Sequence, residues 1–496
     1  MKKSFLITTA IDYVNSFPHA GHALEKIQAD VLARYHRFLG ENVFFLTGTD
    51  ENSLKNVQAA GKEGISTREL VNRNAKKFYD LKEVLDLSLD DFIRTTEVRH
   101  IEGAQKLWKA CQKDIYKKTY QGLYCVGCEE FYKENELVNG LCPEHKTKPE
   151  LIKEENYFFK LSKYRNQLKK IIEKDEVKII PQTRKNEVIS FINSGLKDIC
   201  ISRLAERGRG WGIPVPEDST QVLWTWFDAL SNYINALGYA EDSKKFQEWW
   251  QKNENKLHVI GKGILRFHGI YWIAILLSAR LALPERIFVH GYLTADNQKM
   301  SKSLGNVVDP FPLVKKYGTD AVRYYLLREI SPTDDGDFTY PKFEEKYNAD
   351  LAGGIGNLVA RVLTVAEKTK LGGIEKIEPE FEKEIKKTHY NCKSALDNFK
   401  FNESLKAIWD LIGFCDKYIE IKKPWETKEP KVIYNLLVSL AHIAKLLQSF
   451  LPETAEKIFD QLGVSPFDKK FLKFRIKKGK LLFPKLNNKF TQLNKI

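Results

Sequence analysis

The order of elements in the opening segment constrains this chain more than any other feature. Residues Phe5–Ala10 (FLITTA) form a short apolar run rich in β-formers. A turn-like stretch, Asn15-Ser16-Phe17-Pro18, follows. From Gly21 to Leu39 the sequence has a helical period, with Leu24, Ile27, Val31, Tyr35 and Phe38 on one face and Gly40 where a C-terminal cap belongs. Asn42–Gly48 (NVFFLTG) reads as a second buried strand. Strand, loop, helix and strand make a βαβ unit, which begins a parallel sheet. The sequence has no G-x-G-x-x-G and no G-x-x-x-x-G-K-[ST]. Neither a dinucleotide fingerprint nor a P-loop therefore accounts for nucleotide binding on such a sheet.

A single core rarely grows past roughly 250–300 residues, so 496 residues predict several packed domains. Residues 116–155 are cysteine-bearing, Tyr-rich and turn-rich, and read as an insertion. A second α/β portion spans about 216–290, with a buried helix near 270 and a strand-like Ile287–Val289. Beyond about 350 the pattern is almost purely helical, and Ile433, Leu436, Leu437, Leu440, Ile443, Ala444 and Leu447 form a bundle face. The longest apolar run, Gly269–Ala279, ends at Arg280 and is too short for a membrane span. The first apolar stretch breaks at Asp12, so it reads as a strand and not as a signal peptide. Seven cysteines, three of them in one short segment, predict metal ligation in a reducing, cytoplasmic setting. The excess of 79 basic over 65 acidic residues, +14, fits a polyanionic partner or a solvated basic surface.

Three constellations carry chemistry. His19-Ala-Gly-His22 stands where a helix follows a strand, and helix N-termini offer N–H groups and a positive dipole end to phosphate. Gly21 lets a ligand approach the backbone, and the two imidazoles can donate to a developing pentavalent phosphate. By itself the pattern is equally a pair of capping or surface histidines. Lys299-Met-Ser-Lys-Ser303, followed by Gly305, is a cationic loop able to neutralise a leaving pyrophosphate, or an ordinary basic surface loop. Cys125-x2-Cys128 and Cys142-x2-His145 give three thiolates and one imidazole, the donor set of a closed tetrahedral zinc site. Four protein ligands leave no position for water, so one structural Zn2+ per chain is expected.

The first two motifs, in this order and context, resemble those of the class I aminoacyl-tRNA synthetases. Within that class the sequence is similar to the methionyl-tRNA synthetases, of the bacterial type with one zinc knuckle, over nearly its whole length. The matching stretches are TAIDYVNSFPHAGHALEKIQADVLARYHR, FFLTGTDE, GLYCVGCEEFY, WTWFDALSNYI, IGKGILRFHGIYW, FVHGYLTADNQKMSKSLGNVVDP, GNLVAR and KPW.

The resemblance implies an α/β chain. A class I Rossmann-like parallel-sheet catalytic domain carries a zinc-knuckle insertion and is followed by an all-α anticodon-binding bundle. The expected boundaries are 1–115 and 216–290 for the catalytic halves and 116–215 for the insertion, with its knuckle at about 120–150. The loop and stem-contact region is expected at 291–350 and the helical domain at 351–496. The implied reaction joins methionine to ATP, which is bound with Mg2+, releases pyrophosphate and transfers methionyl to the 3′ end of tRNA(Met). His19, His22, Lys299 and Lys302 would be catalytic, with Gly21, Glu25, Gly261 and Ser301 also at ATP. Ala10, Ile11, Tyr13, Asp50, Trp226, Ala229, Leu230, Tyr233, Ile264 and His268 would hold methionine, Asp50 taking the ammonium; polarizable sulfur packs well on aromatic edges. Without the resemblance, the aromatics of 223–233 read as plain core. Asn357, Arg361 and Trp425 would read the CAU anticodon by stacking and base-edge hydrogen bonds.

Two departures bear on ATP handling. Asn52 and Ser53 replace the histidine and glycine of the family's T-G-T-D-E-H-G, and Gly263 replaces the aspartate of its G-K-D, putting the role of Arg203 in doubt. Two other readings stay open: a class I synthetase for another amino acid, and a non-catalytic tRNA-binding paralogue. A small H-x-G-H nucleotidylyltransferase would leave the knuckle and bundle without purpose. The sequence stops soon after the bundle, so a monomer is expected, and the shortness of the longest apolar run predicts no membrane partner. Its last stretch, Ser465–Ile496, holds ten basic residues against one acidic and is a candidate for further tRNA contacts.

Overall fold

The computed structural model describes residues 3–126, 130–144, 146–300, 305–374, 376–468 and 471–486. The chain forms two compact units: 1–18, 39–83 and 87–290 in the first, 19–38, 84–86 and 291–496 in the second.

The first unit is built on a parallel sheet. Its strands are β1 (Ser4–Thr9), β2 (Asp12–Tyr13), β3 (Asn42–Asp50), β4 (Asp91–Arg94), β5 (Lys178–Ile180), β6 (Lys256–Gly261) and β7 (Arg286–His290). The order is β2-β3-β1-β6-β7-β5, with β4 also paired to β3, and every pair is parallel. Phe5, Leu6, Ile7, Leu46, Val259 and Val289 are all 0% exposed, as a parallel sheet covered on both faces demands. Successive strands leave β1 in opposite directions, to β3 and to β6, which makes a switch point. Open α/β sheets bind ligands at the carboxyl ends of strands at such a point. Here those ends are Ala10, Asp50 and Gly261.

Residues 115–200 interrupt the sheet with a four-stranded antiparallel layer. Ile115–Cys125 pairs with Glu150–Phe159 from Ile115↔Phe159 to Tyr124↔Glu150, flanked by Glu130–Tyr132 and Ile199–Cys200. The chain joins the main sheet at β5, leaves it again through the helix Gln182–Asn193, Ile199–Cys200 and a small antiparallel sheet at 202–223, and rejoins it at β6.

The second unit is mostly helical. Helix α1 (Ala20–Phe38) belongs to it. The expected apolar face is present at Leu24, Ile27, Val31 and Tyr35, but Phe38 is 41% exposed, with the Lys445 ammonium 5.8 Å from its ring centroid. The rest of α1 is buried more widely than its periodicity predicts: Glu25, Lys26, Gln28 and Asp30 are all inside. Ion pairs make this tolerable, since Asp30 accepts from both Arg34 (2.8 Å) and Arg323 (2.7 Å). The bundle comprises Tyr340–Ala366, Pro379–Asp397, Phe401–Lys422, Pro430–Leu447 and Pro452–Leu462. Several of these helices begin on proline, whose missing N–H costs nothing in the first turn. Tyr340–Ala366 and Pro430–Leu447 are long and apolar enough to cross a membrane. In Pro430–Leu447 the apolar side chains form bundle core, with Leu437, Ile443 and Leu447 at 0% exposure. Helix does not continue to the C-terminus: Gly463, at φ 62°, ends Pro452–Leu462, and 471–486 is an irregular strap.

Candidate functional site

His19 and His22 meet at the start of α1. The His22 N–H bonds the His19 carbonyl (2.9 Å), and the two rings stack with centroids 3.8 Å apart. The His19 backbone N–H donates to His22 Nδ1 (3.0 Å), and the Gly21 N–H donates to His19 Nδ1 (3.1 Å). Each Nδ1 is therefore an acceptor, and each imidazole carries its proton on Nε2. Two N–H donors thus stand side by side at a helix N-terminus. Burial, reinforced by the Lys26 ammonium, lowers the His22 pKa to about 3, so its ring donates as a neutral group at pH 7.

The second motif lies beside the first. A Cβ on Gly21 would sit 2.9 Å from His19 Cε1 and 3.6 Å from Met300 Cε. The Ala20 N–H bonds the Val308 carbonyl at 2.8 Å. Lys299 ends a hairpin, Leu293–Ala295 with Gln298–Lys299, whose turn residues Asp296 and Asn297 have positive φ. Residues far apart in sequence thus come together around Gly21, where any side chain would crowd the His19 ring. Glu25 lies in the same unit and pairs with Lys26 at 3.2 Å. Ser301 and Lys302 lie outside the described residues.

The residues expected to hold the amino acid lie in the first unit, as does Gly261, where β6 ends. Ala10 follows β1, Tyr13 is in β2 and Asp50 ends β3. Trp226, Ala229 and Leu230 ride on Thr225–Leu230, and Tyr233 on Asn232–Asn235. Trp226 stacks on Phe267 at 3.8 Å and 9°, with Tyr13 and His268 edge-on, each 6.4 Å away. The indole Nε1 is buried and has no hydrogen-bond partner among the described residues. His268 Nδ1 faces the Ile264 carbonyl at 3.0 Å, so it must donate, and Nε2 accepts from the Tyr233 hydroxyl at 2.7 Å. Behind Tyr233, His258 is 4.2 Å away between ring centroids, and burial holds its pKa well below the ordinary value. These side chains form one aromatic cluster, and Asp50, 2% exposed, is the register partner of Tyr13 at the end of β3.

Sequence reasoning missed what holds these walls together. Asp228, 0% exposed, accepts from Asn52 Nδ2 (2.8 Å) and bonds His100 Nε2 (2.5 Å). Asn52 also donates to the Thr95 carbonyl at 3.1 Å. Asn235 donates to the His100 carbonyl (3.1 Å) and to Ser231 Oγ (2.7 Å), and a Cβ on Gly103 would collide with Asn235 Oδ1 at 2.0 Å. One buried carboxylate thus ties the residues after β3 to the helix carrying Trp226 and to helix Val98–Ala110. The signal was present: Asp228 lies inside WTWFDAL, but a carboxylate in an apolar stretch announces burial without naming its partners. Ser53 caps the helix Leu54–Glu63, accepting from the Lys55 N–H at 3.0 Å. Arg203 donates to the Ser202 carbonyl (2.7 Å) and lies 4.9 Å from the Tyr124 ring centroid, while Gly263 is exposed.

Of the four expected zinc ligands, Cys125 and Cys142 are described and Cys128 and His145 are not. Both described thiols are 1% exposed and form no disulfide. Cys142 lies in a tight turn, its N–H on the Thr147 carbonyl (2.9 Å) and its carbonyl accepting from the Lys146 N–H (2.8 Å). Cys125 Sγ lies 3.9 Å from Thr147 Oγ1. Two buried thiols anchored around one turn fit the donor set of a metal knuckle. In the helical unit, Arg361 lies over Trp425, 5.4 Å from its ring centroid, and donates to Glu420 at 2.7 Å. Trp425 is 44% exposed beside a small recess lined by Val362, Val365, Ile419 and Ile433, and Asn357 is exposed one turn before Arg361.

The family profile of the tRNA synthetases class I (M) matches residues 5–149 and 144–363, and that of the anticodon-binding domain of tRNA ligase matches 378–486. The chain belongs to the methionine–tRNA ligase family. It is 41% identical to the methionine–tRNA ligase of Caldanaerobacter subterraneus subsp. tengcongensis, over 98% of this chain and 80% of that protein. It is 40% identical to the methionine–tRNA ligase of Brucella suis, over 95% of this chain and 93% of that one. Among solved structures, Mycobacterium tuberculosis methionyl-tRNA synthetase in complex with methionyl-adenylate superposes with a TM-score of 0.92 at 37% identity, covering 97% of this chain and all of that one. The Rossmann-like sheet and helical C-terminal region expected from the sequence agree with this membership.

Proposed function

We propose that the protein activates methionine with ATP and esterifies tRNA(Met) with it. A methionine carboxylate oxygen attacks the α-phosphorus, and the bond to pyrophosphate breaks. A terminal ribose hydroxyl of the tRNA then attacks the adenylate carbonyl and AMP leaves. The juxtaposition of Gly21 and Met300 carries this reading, because it gathers the two phosphate-handling motifs around one helix N-terminus. His19 and His22 donate from Nε2 to phosphate oxygens, and Lys299 and Lys302 compensate charge on the departing pyrophosphate; catalysis is positioning plus electrostatics. Gly21 and Gly261 give close backbone approach to ATP, which brings Mg2+, and Glu25 and Ser301 belong to the same ATP site. Trp226, Tyr13 and His268 pack the thioether, with Ala10, Ile11, Ala229, Leu230, Tyr233 and Ile264 completing the pocket. Asp50 takes the ammonium. Pyrophosphate exchange with a panel of amino acids tests this. Exchange with methionine alone supports it, another amino acid would reassign the specificity, and none would leave a tRNA-binding paralogue. The anchoring of Asn52 on Asp228 argues against the paralogue, since the departure from histidine leaves a bonded network.

We read the protein as a cytoplasmic monomer with one structural zinc held by Cys125, Cys128, Cys142 and His145, which would cross-link the insertion. Substituting Cys142 with serine is expected to lower bound zinc from one equivalent to near zero and to unfold 116–155 selectively. Metal analysis and hydrogen exchange over that segment check this.

Asn357, Arg361 and Trp425 read the anticodon. Base–aromatic stacking is worth about 1–3 kcal/mol per base. Trp425→Ala is therefore expected to lower kcat/KM for tRNA by roughly 10- to 100-fold while leaving methionine-dependent pyrophosphate exchange unchanged. Steady-state aminoacylation kinetics would show the split.

A further inference from the structure

The strap 471–486 has a buried face and a charged face. Phe471 is 3% exposed, its ring 5.2 Å from His442, and its carbonyl accepts from Tyr434 Oη. The Arg475 N–H bonds the Leu462 carbonyl (3.0 Å) and the Lys477 N–H the Gln461 carbonyl (2.9 Å). Phe483 is 9% exposed, edge-on to Tyr347 at 5.9 Å, and the strap is held again where Asn348 Oδ1 accepts from the Leu486 N–H (2.8 Å). Backbone anchors at both ends fix the path without using any basic side chain.

Those side chains all face outward. Lys473, Arg475, Lys477, Lys478, Lys480 and Lys485 are exposed, and none of them forms an ion pair with a described residue. No acidic residue occurs between 471 and 486. Elsewhere on the helical unit surface lysines are commonly matched with acids one turn away, as in Lys386–Glu382, Lys393–Asp397, Lys406–Asp410 and Lys457–Glu453. The track also leads somewhere. A Cβ on Gly356 would lie 3.7 Å from Phe483, and Gly356 is followed on the same helix by Asn357 and, one turn on, by Arg361.

We propose that this strap is a second RNA-binding surface, a cationic track that takes the sugar-phosphate backbone of the tRNA beside the bases read by Asn357, Arg361 and Trp425. An ordered row of unmatched cations fits regularly spaced phosphates, and its exposed groups release counterions from the RNA on binding. The proposal rests on the reading of those three residues as the anticodon site. The two contributions differ in kind: the strap contributes affinity irrespective of base identity, whereas Trp425 and its neighbours contribute discrimination.

The test uses the full chain with Lys473, Lys477, Lys478 and Lys480 changed together to glutamine. Methionine-dependent pyrophosphate exchange without tRNA should be unchanged, which reports an intact fold. The Kd for tRNA should rise by tenfold or more at moderate salt. The plot of log Kd against log salt should flatten by about three units, since each phosphate contact contributes roughly 0.7–0.9. Cognate tRNA and a tRNA with an exchanged anticodon should weaken by the same factor. The lysine-to-arginine version should retain the parent slope. An unchanged slope, or weakening confined to cognate tRNA, would overturn the proposal. Trp425→Ala runs in parallel: if it leaves anticodon discrimination intact, the anticodon reading fails, and the strap is still decided by its own slope.

Discussion

Replacing Arg323 with methionine is expected to cost the helical unit about 3–5 kcal/mol of stability, the range for stripping one partner from a buried ion pair. Arg323 and Asp30 are both 0% exposed. The guanidinium donates Nη2 to Asp30 (2.7 Å), Nε to the Phe450 carbonyl (2.7 Å) and Nη1 to the Leu85 carbonyl (2.9 Å). It therefore joins α1, the 84–86 segment and the turn at Ser449–Phe450 that follows Pro430–Leu447. Methionine fills much of the volume but donates nothing, so the carbonyls the guanidinium served lose their donor in a buried place. Arg34 still serves Asp30 at 2.8 Å, which keeps the cost within that range. Denaturant unfolding of the full chain, followed by helical signal, measures the loss. Adding Asp30→Asn should recover part of it, because the carboxylate is then no longer an uncompensated charge. A loss below about 1 kcal/mol would place the pair among those worth no more than a surface contact. Since His19 and His22 stand at the start of α1, the methionine activation proposed for them should fall with the fold.

Asn52→Asp is expected to be the most damaging single change near the proposed amino-acid pocket. It sets a second carboxylate where the amide of the half-buried Asn52 now donates to the fully buried Asp228 at 2.8 Å. Two carboxylates at that distance cannot both ionise, so one must take a proton. Losing a hydrogen bond to a charged group costs roughly 1.5–3 kcal/mol, so the methionine KM should rise by at least tenfold, with kcat less affected. The sign with pH follows. Above the raised carboxyl pKa the pair repels and the pocket walls part; as pH falls through that pKa one proton restores a donor, and KM should recover. Asn52→Ala should raise KM without the recovery at low pH. A pH-independent KM for Asn52→Asp would show that Asp228 does not hold this wall. Stability measured alongside separates a displaced wall from an unfolded one.

Much of the catalytic architecture was legible in local pattern. The βαβ unit follows from alternating apolar runs with glycine at the helix end, and Gly40 does adopt φ 82°. The aromatics expected at the amino-acid pocket were another matter. Trp226, Tyr233 and His268 read equally as core, and they are core by burial; only the structure shows them packed together with Tyr13, the register partner of Asp50. Helix α1 shows the reverse failure. Periodicity gave one face, whereas pairing of Asp30 with Arg323 buries a polar face as well, and the partners lie too far apart in sequence for any window to connect them. The C-terminal stretch was read as helical by continuity, but the strap takes its hydrogen bonds from Gln461, Leu462 and Asn348, so it needs no helix of its own.

Sequence by itself determined the class of this protein, the two motifs proposed to handle phosphate, a Cys/His set of the kind that binds zinc and the basic character of its end, because each is a matter of residue type at short spacing. Tertiary structure alone decided which residues share a network. It placed Met300 beside Gly21, gave Asp228 its partners in Asn52 and His100, and laid six unmatched cations along a strap that leads to Asn357. Those relations depend on packing between distant segments, where a buried charge or a bare backbone group takes whichever partner the fold brings within about 3 Å.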